Sequence, residues 1–244
     1  MKKLITLTIS LAVISLLIYA QPAFWQKVPG KATDISVGAN GAIWVIGDDA
    51  QTGGSSIFRW DKATSKWNKV PGSATRISVD SDGNPWVVQA EGGIFRFDGA
   101  KWEKMPGKAM DIGVGADDSI WVIGAAAPAT NGGIFRWARG TWEKIDGAAT
   151  EIAVAKDGTV WVINMNSDIF RRVNNKWVKV GTDMLDVGTG ADGSVWATTQ
   201  GYDIMKWNGN GWNKVDGKAT RVAPDPKGSP WVINANFDIF FRRN

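Results

Sequence analysis

Three short segments carry side chains from which a binding site could be built. Asn164, Asn166 and Asp168 recur as Asn234, Asn236 and Asp238, and the segment between them offers Gln200, Tyr202 and Asp203. Amides donate and accept, carboxylates accept, and a neighbouring aromatic presents an apolar face; together these suit a neutral, polyhydroxylated ligand. The same groups can instead cap strand ends and close turns. Histidine and cysteine are absent, which removes the commonest zinc and copper ligands and every Cys-His or Ser-His catalytic pair. Carboxylates remain, but they recur at turns (Asp82, Asp117, Asp157, Asp192, Asp225) or at one strand position (Asp34, Asp111, Glu151, Asp186). A hydrolytic carboxylate pair needs one special geometry and so breaks a repeat. None is broken here, and the chain reads as a non-enzyme without cofactor or metal. Asp80-Ser81-Asp82-Gly83 has the opening of a calcium loop but not its later oxygen ligands; it reads as a hairpin turn, with weak calcium binding as the alternative.

The elements that position these groups come from a repeat. The tetrad Ile57, Phe58, Arg59, Trp60 returns at 94–97, 134–137, 169–172, 204–207 and 239–242. Two tryptophan series run in step with it: Trp25, Trp67, Trp102, Trp142, Trp177 and Trp212, then Trp44, Trp86, Trp121, Trp161, Trp196 and Trp231, each nineteen residues after its partner. The return distance varies from 16 to 23 residues, so extra length enters at one place only. Segments 74–79, 85–88, 94–97 and 101–105 have strand lengths and no helix period. Glycines 41, 83, 158, 193 and 228 suit the tight reversal between the first two strands. The third unit lacks that glycine, at Ser119, and its turn is expected to differ.

A four-stranded unit cannot bury its own faces and must stack on its neighbours. Residues 24–28 match the last strand of a unit, while 234–244 stop after a third strand. A linear stack gains nothing from this offset; a ring gains a clasp. The expectation is an all-β, six-bladed β-propeller of four-stranded antiparallel blades, closed by the N-terminal strand completing the last blade, one domain over 24–244. Of the fifteen tryptophans, twelve fall in the two series, a regularity that packing between blades demands. Pro224 removes a ladder donor from the last inner strand, which should end early or sit beside the channel.

Lys2 and Lys3, the apolar run 4–19 and the small residues Ala20 and Ala23 form a secretory signal pattern over 1–20, cleaved after Ala20 or alternatively after 23. The mature chain is expected to be secreted, periplasmic or extracellular, with a tether through an uncleaved segment as the alternative. The formal charge of +4 drops to +2 without the two lysines. Basic residues are scattered rather than striped, which argues against nucleic acid.

The connection between second and third strands shares a rim with the connection between units, and the inserts 48–55 and 125–132 lie there. Binding is expected on that rim. Arg59, Arg96, Arg136, Arg171 and Lys206 read as bridges between blades or as contacts for anionic glycan groups. The run 161–172, from Trp161 through Asn164-Met165-Asn166-Ser167-Asp168 to Arg172, and its echo 231–242 resemble the tectonin repeat; so do Trp142, Gly147, 149–154 and Gly158 before it. That resemblance covers residue 24 to the C-terminus. It implies a β-propeller of the horseshoe-crab and fish-egg lectin type, related to fungal and slime-mould tectonins, which binds lipopolysaccharide or methylated glycans in clefts between repeats. The expected partners are therefore glycans or lipopolysaccharide, with Asn164, Asn166, Asp168, Asn234, Asn236, Asp238, Gln200 and Tyr202 as candidate contacts. A protein-interaction scaffold holding surface proteins is the alternative.

Overall fold

The computed structural model describes residues 24–127 and 130–243; the expected signal segment lies outside them. Units are numbered here by the second tryptophan series, from Trp44 in unit 1 to Trp231 in unit 6. The described residues form an all-β, propeller-like architecture in which every strand pair is antiparallel. Unit 4 is representative: Glu151–Val154, Val160–Ile163, Ile169–Val173 and Lys176–Gly181 pair in that order. Unit 5 is likewise a separate sheet, of Met184–Thr189, Val195–Thr199, Asp203–Trp207 and Trp212–Lys218. The other strands join into two seven-stranded sheets, because Phe24–Val37 and Trp102–Val114 run from the outer edge of one unit to the inner position of the next. At Pro29-Gly30 the ladder shifts register within one continuous strand, with Gly30 at φ 98°. Residues 24–28 pair with Asp238–Arg243, Trp25 opposite Arg242, so the two described ends share one ladder.

Burial follows the order of strands within a unit. The second strands, such as Ile43–Gly47 and Val160–Ile163, are buried on both faces because a neighbouring unit covers each side. Outer strands such as Lys66–Ala74 are mostly exposed. The core lies between units: Trp44, Ile46 and Ile57 of unit 1 pack with Ile77, Val79 and Val87 of unit 2. All six second-series tryptophans are buried, Trp44 and Trp161 at 2% exposure. First-series indoles are half-buried and span the junctions: Trp67 Nε1–H donates to the Pro29 carbonyl at 2.7 Å and Trp25 Nε1–H to that of Asp216 at 3.0 Å. Trp142, Trp177 and Trp212 do the same to Pro106, Asp146 and Val180. An indole N–H thus ties each outer strand to the linker of the preceding unit.

Two local expectations are corrected. The residue equivalent to the turn glycine in unit 3 is Asp118, not Ser119, and the turn keeps its form because Asp118 adopts φ 59°. Short Asp side chains tolerate that region. Pro224 does not shorten its strand, being the last residue of Arg221–Pro224 and paired with Pro230, but the strand does lie beside the axial cavity through Val222 and Ala223. Among the described residues no helix is long and apolar enough to cross a membrane.

Candidate binding clefts

The turns between second and third strands hold the residues singled out in the sequence. Asn164 Oδ1 accepts the backbone N–H groups of Asn166 and Asp168, each at 3.0 Å. Asn234 Oδ1 accepts those of Asn236 and Asp238 at 2.9 and 3.0 Å. Both amides therefore close their own turns. Asp168 pairs with Lys179 at 2.6 Å and Asp238 with Lys27 at 2.9 Å, and these ammonium groups hold both carboxyls below the usual carboxylate range. Lys218 and Lys214 do the same for Asp203. Gln200 Nε2 donates to Ser167 Oγ at 2.9 Å and joins units 4 and 5. Asn166, Asn236 and Tyr202 face solvent. The two Asn-x-Asn-x-Asp turns belong to units 4 and 6, with unit 5 between them, so they do not converge on one pocket.

Open clefts lie on the opposite rim, beside the turns between first and second strands. Between units 2 and 3, a cleft of 440 Å³ is lined by Trp86, Arg96 and Glu103 on one side and Asp118, Ile120 and Trp137 on the other. A cleft of 240 Å³ between units 4 and 5 is lined by Lys156, Trp161 and Arg171 and, across the junction, by Gly193, Val195 and Trp207. A third, of 420 Å³, is bounded by Asn40, Arg59, Trp60, Lys62 and Asn68 of unit 1. Ladder register builds these sites, since the third-strand cation stands opposite the second-strand indole: Trp86 with Arg96, Trp161 with Arg171, Trp196 with Lys206.

Among the described residues, none of Arg59, Arg96, Arg136, Arg171 and Lys206 makes an ion pair. Each covers an indole instead, at 5.0 Å for Lys206 over Trp196 and 5.8 Å for Arg136 over Trp121. Such contacts contribute about 0.5–2 kcal/mol. Arg171 reaches across to Trp207 of unit 5 at 5.4 Å, so its bridge between units is cation–π.

The axis is occupied by charge. Position three of the six inner segments reads Asp34, Arg76, Asp111, Glu151, Asp186, Arg221, and these segments surround a cavity of 80 Å³. Arg76 and Arg221 both reach Glu151, at 3.1 and 3.4 Å, and Arg221 reaches Asp186 at 3.0 Å. The second oxygens of Asp34, Asp111 and Asp186 accept the backbone N–H groups of Ile77, Ile152 and Val222 at 2.7–2.8 Å. Four acids against two cations leave a formal charge of −2. Burial raises Asp34 and Asp111 above the usual carboxylate range and takes Asp186 up to about 6 against the pull of Arg221. Burial also opposes ionisation of Glu151, but Arg76 and Arg221 outweigh it and hold that carboxyl low. The axial space is cross-braced rather than open, and this leaves the rim as the place for a ligand.

With this geometry in place, the sequence profile of the tectonin domain matches residues 14–101, 84–161 and 148–244. The chain belongs to the tectonin-domain family. No curated protein matches it. Among solved structures, the tectonin chain is similar to a streptogramin B lyase, at 15% identity and TM-score 0.61 over 91% of this chain and 97% of the other. It is also similar to a gluconolactonase from Xanthomonas campestris, at 12% identity and TM-score 0.66 over 90% and 89%. YCF48 bound to a D1 peptide gives 15% identity and TM-score 0.57 over 93% and 97%. At these identities the likeness is one of fold. The resemblance pointed to clefts between repeats, but the residues lining these two were not named from the sequence, because each cleft is assembled from two units. The axial charge cluster was also missed, and its signal was Arg76 and Arg221, which interrupt an otherwise acidic series at the third inner-strand position.

Proposed function

We propose that this tectonin chain is a secreted, non-enzymatic, lectin-like protein, a six-bladed β-propeller of four-stranded blades whose clefts recognise sugars of a repetitive surface glycan such as lipopolysaccharide or a methylated polysaccharide. One observation carries the reading. At the junctions between units 2 and 3 and between units 4 and 5, an indole, a cation packed on an aromatic face and polar turn residues line an open cleft of 440 and 240 Å³. Apolar face plus directional polar groups is the combination that a sugar ring requires. Several such clefts on one rigid disc would engage a repeating surface together, so the joint affinity exceeds that of any one of them. A protein-interaction scaffold is the second reading, favoured by Met165, Tyr202 and Phe237, exposed at 51%, 42% and 45% in consecutive turns of the other rim.

A glycan array that includes lipopolysaccharides and O-methylated sugars tests the proposal. Arg96→Ala and Arg171→Ala should each reduce the signal while the protein stays folded by circular dichroism. A folded protein that captures no glycan on the array would sink the lectin reading.

A further inference from the structure

We infer that the cleft between units 4 and 5 takes the carboxylate of an acidic sugar, a residue of the uronic-acid class, with Trp161 and Arg171 as the donors; the inference rests on the lectin reading above. Trp161 is 2% exposed, and its Nε1–H has no hydrogen-bond partner. Arg171 Nε–H is also buried and without a partner. Both residues line the same cleft.

One equivalent junction shows what can satisfy such an indole, although Trp121 and Trp196 leave theirs unpartnered as Trp161 does. Trp44 of unit 1 donates Nε1–H to the Gly83 carbonyl, in the turn of unit 2, at 3.0 Å. Gly193 occupies the corresponding turn of unit 5 and lines the cleft, yet Trp161 makes no such bond. Both N–H groups are covered from solvent, so an acceptor must part the side chains over them, and the unmade bonds supply a favourable term for doing so. Two N–H donors, one of them on a guanidinium, match an anionic acceptor with two oxygens, and charge assistance strengthens each bond.

The surrounding charge agrees. Lys156 and Arg171 outnumber Asp157 in the lining, and Asp157 Oδ1 is turned to the Thr159 N–H of its own turn at 2.9 Å. The cleft between units 2 and 3 is the internal contrast. Arg96 Nε is unpartnered there too, but Asp80, Asp82, Glu103 and Asp118 share the lining and would repel a carboxylate. Trp207 walls the unit 5 side and already carries the Arg171 guanidinium on its face, which fixes that group in position.

Methyl β-glucuronide, methyl β-glucoside and acetate are the probes, titrated by calorimetry and followed through indole and arginine Nε resonances in nitrogen-edited NMR spectra. The glucuronide should bind about ten times more tightly than the glucoside and shift the Trp161 Nε1–H and Arg171 Nε–H signals. Arg171→Lys, which keeps the charge and loses the Nε donor, should abolish that preference. Equal affinity for both glycosides would overturn the inference and leave the lectin reading standing. Acetate binding as tightly as the glucuronide would overturn it in favour of a simple anion pocket, and a sulfated glycoside outcompeting the glucuronide would reassign the acceptor. Failure of every sugar, here and on the array, would remove both readings. Because the wild-type spectra report on both donors, the test holds even if the variant fails to fold.

Discussion

Replacing Gly217 by alanine isolates the indole-to-linker contact that ties each unit to the one before it. Gly217 has φ 103°, and an added Cβ would lie 2.8 Å from Trp25 Nε1 and 3.1 Å from Ile204 Cδ1. Gly99 and Gly209 have φ 97° and 98°, yet a Cβ there meets nothing within 4 Å. All three substitutions carry the same backbone penalty, about 1–2 kcal/mol for a side chain at positive φ. Only Gly217→Ala adds overpacking, about 1–3 kcal/mol, and displaces the Trp25 hydrogen bond to Asp216, worth about 0.5–1.5 kcal/mol. The excess over Gly99→Ala should therefore be about 2–4 kcal/mol. With a urea m-value near 3 kcal/mol/M, the unfolding midpoint falls by about 1 M more than in the control. Tryptophan fluorescence at equilibrium measures it, with m held common to all variants. In a Trp25→Ala background only the approach to Ile204 Cδ1 remains, and most of the excess of Gly217→Ala over Gly99→Ala should vanish, a non-additivity expected of touching residues. If the Gly217 and Gly99 variants agree within about 0.5 kcal/mol, the indole is not seated on that linker and the account of the junctions is wrong.

The remaining expectations concern single side chains. Trp44→Ala should destabilise by about 3–5 kcal/mol through a cavity between units 1 and 2; a loss under about 1 kcal/mol would place that indole outside the core. Asn164→Ala and Asn234→Ala each leave two turn N–H groups without their acceptor and should lower stability by about 1–2 kcal/mol without changing glycan binding; unchanged thermal midpoints with lost binding would restore them as ligand contacts. Asp186 has a folded pKa of about 6 against 3.8 for the free side chain, so the fold favours its protonated form. Its contribution is complete below pH 3.8 and is lost as pH rises through 6, on the order of 3 kcal/mol. Wild-type stability measured relative to Asp186→Asn should accordingly fall between pH 4 and pH 7, and a flat difference would contradict the buried placement.

Spacing made the tryptophans legible, because a residue that must pack against the next unit recurs at the interval of the unit. The pairing of 24–28 with the last strand was legible from the offset ends for the same reason. Asn164 and Asn234 were ambiguous in principle: an asparagine at a strand end looks the same whether its oxygen accepts two turn N–H groups or a ligand hydroxyl. The arginines of the tetrad were open to two readings, bridge or ligand contact, since register across the ladder, not adjacency in sequence, sets each over an indole. The clefts needed both sides of a junction, for example Arg171 and Gly193, which no local pattern connects. Asp118 escaped notice because an aspartate can stand in for a turn glycine without changing the turn.

The carboxylates of Asp34, Asp111 and Asp186 each lean on the strand that follows, joining unit 1 to 2, 3 to 4 and 5 to 6. Lighter hydroxyl links serve between 2 and 3 and between 4 and 5, through Ser78 and Thr189. By these carboxylate bonds the units go by couples, while Arg76 with Asp111 and Arg221 with Asp34 tie one couple to the next. Excising unit 2, 4 or 6 alone would take away the strand on which a carboxylate leans, whereas excising a couple would preserve every such match. Any rearrangement of this chain that keeps its cohesion should accordingly count its modules by twos.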